Sequence, residues 1–218
     1  MSKTMPASPD QAPKQSPWRT ILNNYLRPAV VLTLLLTILT GLLYPGVVTV
    51  LAQLIFPYQA NGSLHYVNGK LVGSDLIGQY WTSSRYFHGR PSVTVNPGTG
   101  TPEPYAADNS TASNLGPTNS VLIKTVQKNV AELKKENPNA PPGPVPVDLV
   151  TSSGSGLDPD ISIAGALYQV PRVAQARGLS QDKVKQLVMN NVTGRFLGIF
   201  GEPFVNVLDL NLALDALK

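Results

Sequence analysis

From Pro28 to Gly69 the chain has no Asp, Glu, Lys or Arg, and from Ala29 to Ile55 it is almost continuously apolar (AVVLTLLLTILTGLLYPGVVTVLAQLI). A helix crosses the hydrocarbon core with roughly 20 such residues. The run therefore predicts one transmembrane helix over 28–56. It is far longer than the roughly 7–15 apolar residues of a secretory signal, although Val50-Leu51-Ala52 would suit a cleaved one. Gly41 and Pro45-Gly46 interrupt the run. Proline removes a backbone hydrogen bond and kinks a helix. The glycines leave flat patches where another helix can approach. Gly41, Pro45 and Gly46 are thus candidates for a docking face, set against the plainer reading that an anchor tolerates them.

Beyond the span, Ser63–Val67 and Lys70–Val72 flank Asn68-Gly69. Asn-Gly between β-formers is the strongest short hairpin signal, because a type I′ turn needs positive φ at both positions. His65 falls in that hairpin as a strand residue. Aromatics set among Gly and Pro at 76–92 point to a buried, irregular segment, and 94–120 reads as a long loop. Asn119 or Ser120 caps a helix to about Asn137, with Leu122, Val126, Val130 and Leu133 on one stripe. Val145–Val150 reads as an edge strand. Ser162 opens a helix that Pro171 breaks or kinks and Gly178 ends. Ser180 caps another. Phe204–Leu208 reads as a strand, after which Asp209 caps a last helix from Leu210 to Leu217. The predicted fold class is α+β: a single N-terminal transmembrane helix followed by one mixed domain. The segments are a disordered tail at 1–17, a juxtamembrane stretch at 18–27, the helix at 28–56 and the domain at 57–218.

Charge orients this arrangement. Up to Arg27 the chain has Lys3, Lys14, Arg19 and Arg27 against Asp10, so three of its four net positive charges precede the span. The positive-inside rule puts residues 1–27 in the cytoplasm and the domain outside. The remainder is nearly neutral. It has no basic stripe for phosphates, so no nucleic-acid partner is expected. Cysteine is absent, which excludes disulfides, a thiolate nucleophile and Cys-held metal centres. His65 and His88 are the only histidines, so a metal site would need carboxylates, and no ligand spacing is read.

The most site-like stretch is Thr151–Asp160 (TSSGSGLDPD). It lacks the lysine of a phosphate loop. A hydrolase using Ser152 or Ser155 with His88 and Asp158 lacks the Gly-x-Ser-x-Gly elbow. Asp158 and Asp160 are too few for a dedicated calcium loop. The plain alternative is a Gly/Ser turn with a local cap. Arg90 could bind an anion or order its own loop. No catalytic constellation emerges.

Several strings nonetheless form a pattern: Tyr44-Pro45, QANGSL at 59–64, GSDLIGQ at 73–79, YFHGRPS at 86–92, ASNLGPTN at 112–119, Val145–Asp158, PRVA at 171–174 and VNVL at 205–208. Over residues 28–217 the chain resembles the C subunits of Kdp potassium-transporting ATPases, which are bacterial high-affinity uptake pumps. The resemblance implies partners: a channel-like potassium subunit, a P-type ATP-hydrolysing subunit and a very small peptide subunit, together with membrane lipid. It implies a bacterial inner-membrane location and a non-catalytic role in assembly. It also implies a catalytic chaperone that raises ATP affinity on the hydrolysing subunit, with Gln79 as the candidate residue. No cofactor is tightly bound on that reading; ATP and potassium are substrates of the complex. Tyr44 joins the docking candidates. Asp75, Asp158 and Asp160 become candidates for the cation entrance, since carboxylates raise local cation concentration. Because the domain is expected outside, coupling to ATP is expected to cross the membrane without nucleotide contact. The alternative function is a stand-alone anchored serine hydrolase.

Overall fold

The computed structural model describes residues 17–217. The tail expected to be disordered at 1–17 lies outside these apart from Pro17. The fold is α+β, with one apolar helix followed by a mixed domain, and it divides into two compact units between Asn61 and Gly62.

In the first unit, one continuous helix, α1, runs Trp18–Ile55 and is long and apolar enough to cross a membrane. It takes in the juxtamembrane stretch as well as the apolar run. Pro45 does not break it. Wider π turns occur at Leu22–Leu26 and Leu39–Leu43, each ending two residues before a proline, Pro28 or Pro45. A proline cannot donate to the carbonyl four residues back, and its ring crowds that turn. A single wide turn absorbs the mismatch while the helix continues. Thr40 Oγ1 also donates to the Leu36 carbonyl at 2.7 Å. A short helix, α2 (Pro57–Ala60), closes the unit; the Asn61 amide donates to the Pro57 carbonyl at 2.6 Å.

The second unit opens with the antiparallel hairpin β1 (Leu64–Val67) and β2 (Lys70–Ser74). Asn68 and Gly69 have φ of 51° and 75°, as the type I′ turn requires. The 94–120 loop forms no extended strand, only an isolated bridge between Val95 and Pro102. It is pinned by its own polar groups: Tyr105 N–H donates to Ser92 Oγ, and Asn109 to the Val95 carbonyl. Helix α3 (Ser120–Glu136) is capped by Asn119, whose side chain accepts from Val121 N–H. Val126, Val130 and Leu133 pack on the core.

Val145–Val150 is not an edge strand. Its centre, Val147–Leu149, is a single 3-10 turn, as suits a segment whose prolines 144 and 146 cannot donate to a ladder. Strand β3 (Asp160–Ser162) leads into helix α4 (Ile163–Arg177), with Ser162 as cap. Helix α4 passes through Pro171 without ending, which places Arg172, Val173 and Ala174 in the core. Packing outweighs the roughly 3 kcal/mol that a mid-helix proline costs. Helix α5 (Gln181–Asn190) starts at the Ser180 cap, and β4 (Val192–Thr193) and β5 (Phe204–Asn206) follow. The last helix, α6 (Val207–Ala216), begins directly after β5. Its cap is Asn206, accepting from Leu208 and Asp209 N–H, so Asp209 lies inside the first turn and the expected strand to Leu208 stops early.

The three short strands order as β3–β5–β4, all antiparallel, with Val205 at the centre and fully buried. Around it Val173, Val184, Val188, Leu210 and Leu214 are also fully buried. Phe87, from an irregular segment, joins this core with no exposure. Two buried amides make that possible. Asn211 accepts from Phe87 N–H at 2.9 Å and donates to its carbonyl at 3.0 Å. Gln169 does the same for His88 at 2.8 and 3.0 Å. Each amide stands in for a neighbouring strand, so a segment without a ladder is buried with its backbone satisfied.

Candidate functional site

Gln79 lies on the wall of a cleft of about 370 Å³ that also takes in Trp81, His88, Arg90, Tyr105 and Glu136. The close backbone around it demands glycine. A Cβ on Gly73 would collide with the Gln79 amide, and one on Gly78 with the Tyr105 ring and, at 2.8 Å, the Asp158 carbonyl. Gln79 Nε2 donates to the Val72 carbonyl at 2.6 Å. The side chain thereby ties the middle of β2 to the segment leading into the cleft.

Charge in the cleft is arranged in pairs. Arg90 Nη1 meets Asp158 Oδ2 at 2.8 Å, and Nη2 donates to the Ser152 carbonyl at 3.4 Å. Arg90 thus orders the Ser/Gly segment against its own loop. Glu136 Oε1 lies 2.9 Å from His88 Nδ1 and 3.7 Å from Arg172 Nε. Burial alone would raise the Glu136 pKa, but the His88 hydrogen bond and the His88 and Arg172 charges hold it below its ordinary 4.5. Arg172 is itself buried and donates to Asn137, Ser84, Tyr86 and Gln169. The Tyr105 hydroxyl donates to the Arg90 carbonyl, and burial, then the nearby Asp158 charge, push its pKa up to about 12. Two donors remain unused among the described residues: Trp81 Nε1 and Arg90 Nε, both buried.

The structure does not assemble the hydrolase alternative. The two imidazole nitrogens of His88 face Glu136 and the Ser83 carbonyl at 2.9 Å each, and Asp158 faces Arg90. Ser155 Oγ accepts from Leu157 N–H, a bond internal to a turn, and Ser152 meets Arg90 through its carbonyl.

The aspartates proposed for a cation entrance are close enough to interact, and each has a partner. Asp158 has Arg90 and Asp75 has His65. Asp160 accepts from the Asn206 amide at 3.1 Å. Burial, and then the charge of Asp158, raise its pKa to about 6. His65 is more than a strand residue: its Nε2 faces both Asp75 and Asp209. Sequence reasoning missed Asp209, Trp81 and Glu136 as site residues. They are far apart in the chain, and only the fold brings them to these positions.

On α1, Gly46 lines a shallow apolar groove with Leu42, Leu43, Val47, Val50 and Leu51. A Cβ on Gly41 or Gly46 would meet nothing within 4 Å. Tyr44 is 68% exposed, so the docking candidates are open to a partner helix or lipid.

Residues 26–216 match the family model described as "K+-transporting ATPase, c chain". The chain is 57% identical over 198 residues to a potassium-transporting ATPase KdpC subunit of Rhodopseudomonas palustris strain BisB18, covering 88% of this chain and 98% of that one. It is 56% identical to the KdpC subunit of Methylobacterium nodulans, with 88% and 97% covered, and 55% identical to that of Bradyrhizobium diazoefficiens, with 87% and 96% covered. The family match takes in α1 from Leu26 onward and nearly all of the domain, and the chain belongs to the KdpC family of potassium-transporting ATPase subunits.

Proposed function

We propose that this chain is a non-catalytic subunit of an ATP-driven potassium uptake pump. It is needed to assemble the channel-like, ATP-hydrolysing and small peptide subunits, and it raises the ATP affinity of the hydrolysing subunit. The observation that carries this reading is the match over residues 26–216, which takes in the apolar run of α1 and nearly the whole domain. The excess of positive charge up to Arg27, ahead of the apolar run, supports a cytoplasmic N-terminus and an outer domain in a bacterial inner membrane. ATP is then on the opposite side from Gln79, and no nucleotide contact is required. Gln79 acts as a positioning residue, through the bond to Val72 that fixes the hairpin beside the cleft. The open face at Gly41, Tyr44, Pro45 and Gly46 supports docking of partner helices. At the tip between β4 and β5, Phe196, Leu197, Ile199 and Phe200 are each more than 60% exposed, which suits a contact with another subunit.

The test is to produce the pump with and without this chain, tagged on the hydrolysing subunit. Without it, the channel-like subunit fails to co-purify and the ATP KM rises. With Gln79→Ala the complex still forms, but the KM per assembled complex moves toward that of the incomplete one. A stable complex with unchanged ATP KM in the absence of this chain overturns the reading.

A further inference from the structure

Three side chains from separate elements converge at one point of the second unit. His65 comes from β1, Asp75 directly follows β2, and Asp209 lies in the first turn of α6. Their ligand atoms lie within 4.8 Å of one another. His65 Nε2 touches Asp75 Oδ1 and stands 3.1 Å from Asp209 Oδ1. One ring nitrogen carries at most one proton, so it can satisfy only one of these oxygens with a well-formed hydrogen bond.

The cluster is built rather than accidental. Asp75 N–H donates to the Ser63 carbonyl at 3.0 Å. Asn206 donates to the Asp75 carbonyl at 2.9 Å, while its Oδ1 accepts from Asp209 N–H at 3.2 Å. A single residue thus fixes the backbone of both carboxylate bearers. Side chains are 28%, 30% and 44% exposed for His65, Asp75 and Asp209. An ion can reach them, yet none is fully exposed. The surroundings add negative charge: Asp160 lies close enough for Asp209 and Asp75 to help raise its pKa, after burial and Asp158.

We infer that His65, Asp75 and Asp209 form a binding site for a divalent first-row metal ion of the zinc or cobalt type. One imidazole nitrogen and two carboxylate oxygens suit such ions, with bonds of about 2.0–2.2 Å. Potassium, which takes oxygen ligands in larger number, is a poor match for a site containing nitrogen. Binding replaces the contacts His65 now makes with its two carboxylates by bonds to a shared ion. It neutralises the surplus charge and staples the β1–β2 hairpin to α6. The site is independent of the proposed pump role, because every ligand belongs to this chain.

The test uses the purified full-length chain in detergent, stripped with a chelator and titrated with Zn2+ by calorimetry. Co2+ is added in parallel as a spectroscopic probe. One ion per chain binds in the micromolar range, and Co2+ gives a visible ligand-field band that Zn2+ abolishes. His65→Gln and Asp209→Asn each weaken Zn2+ binding by about 100-fold or more, since even loss of a supporting residue behind a ligand costs about 10–100-fold. Circular dichroism confirms that both variants fold. Asn206→Ala, which leaves all three ligands in place, weakens binding by a smaller factor. No uptake of Zn2+ or Co2+ by the wild-type chain overturns the proposal. So does uptake that both ligand variants leave unchanged, because the ion then sits elsewhere.

Discussion

Asn211 closes both backbone hydrogen bonds of Phe87, accepting from its N–H and donating to its carbonyl across 124 residues of sequence. Both residues are fully buried. Replacing Asn211 with Leu keeps the volume and removes both partners. Each backbone group left without a partner costs about 1–3 kcal/mol. Asn211→Leu is therefore expected to destabilise the domain by about 2–4 kcal/mol. Asn191→Leu, which loses one partly exposed bond to the Leu187 carbonyl, costs about 1 kcal/mol or less. Thermal denaturation of both variants in detergent checks the ordering; equal losses would contradict the clamp.

Glu136 gives the domain a pH dependence with a definite sign. Its pKa is lower in the folded chain than its ordinary 4.5, with burial opposed and outweighed by His88 and Arg172. Between the folded and unfolded values the unfolded chain binds more protons, so stability falls as pH falls. The contribution is fully present above about 4.5 and disappears as the pH drops through the folded value. Glu136→Gln should accordingly melt lower than wild type at pH 7, with the gap closing below about pH 4.5. A gap that stays constant across this range would show that Glu136 contributes by packing alone.

The groove on α1 predicts asymmetric sensitivity to added bulk. Gly46→Leu fills a groove lined by Leu42, Leu43 and Val50, and should reduce co-purification of the partner subunits severalfold. Leu35→Ala, on the same helix away from the groove, should leave co-purification near wild type. Equal retention of both variants would remove the docking face.

Orientation can be read without background, because the chain has no cysteine. A membrane-impermeant thiol reagent added to intact spheroplasts should label Gln186→Cys, on the exposed face of α5. It should spare Ser16→Cys until the membrane is opened. The reverse pattern would invert the topology.

Elements carried by local chemistry were legible in the sequence. Asn68-Gly69 specified its turn, and Asn119, Ser162 and Ser180 marked helix starts through side chains that accept from nearby N–H groups. The signals that misled were local ones overruled by context. Val145–Val150 has β-forming residues, but its prolines exclude a ladder. Pro171 should interrupt a helix, yet the buried face of α4 carries it through. Asp209 is a good cap, but Asn206 takes that place because β5 must end there to pair with Asp160. The candidate site was the least legible part. Gln79 could be singled out only by resemblance. The amides of Gln169 and Asn211, and the meeting of His65, Asp75 and Asp209, arise from contacts between residues 10 to 144 positions apart. No spacing rule reaches across such distances.

If this chain supports ATP binding on a partner from the far side of the membrane, it never meets the nucleotide itself. A photoreactive ATP analogue applied to the intact complex, correctly oriented in sealed vesicles with the nucleotide side accessible, tests it most directly. The label should appear on the hydrolysing subunit and be absent from this chain, in the wild type and in Gln79→Ala alike. Labelling of this chain near Gln79, lost in Gln79→Ala, would contradict both the topology and the indirect action.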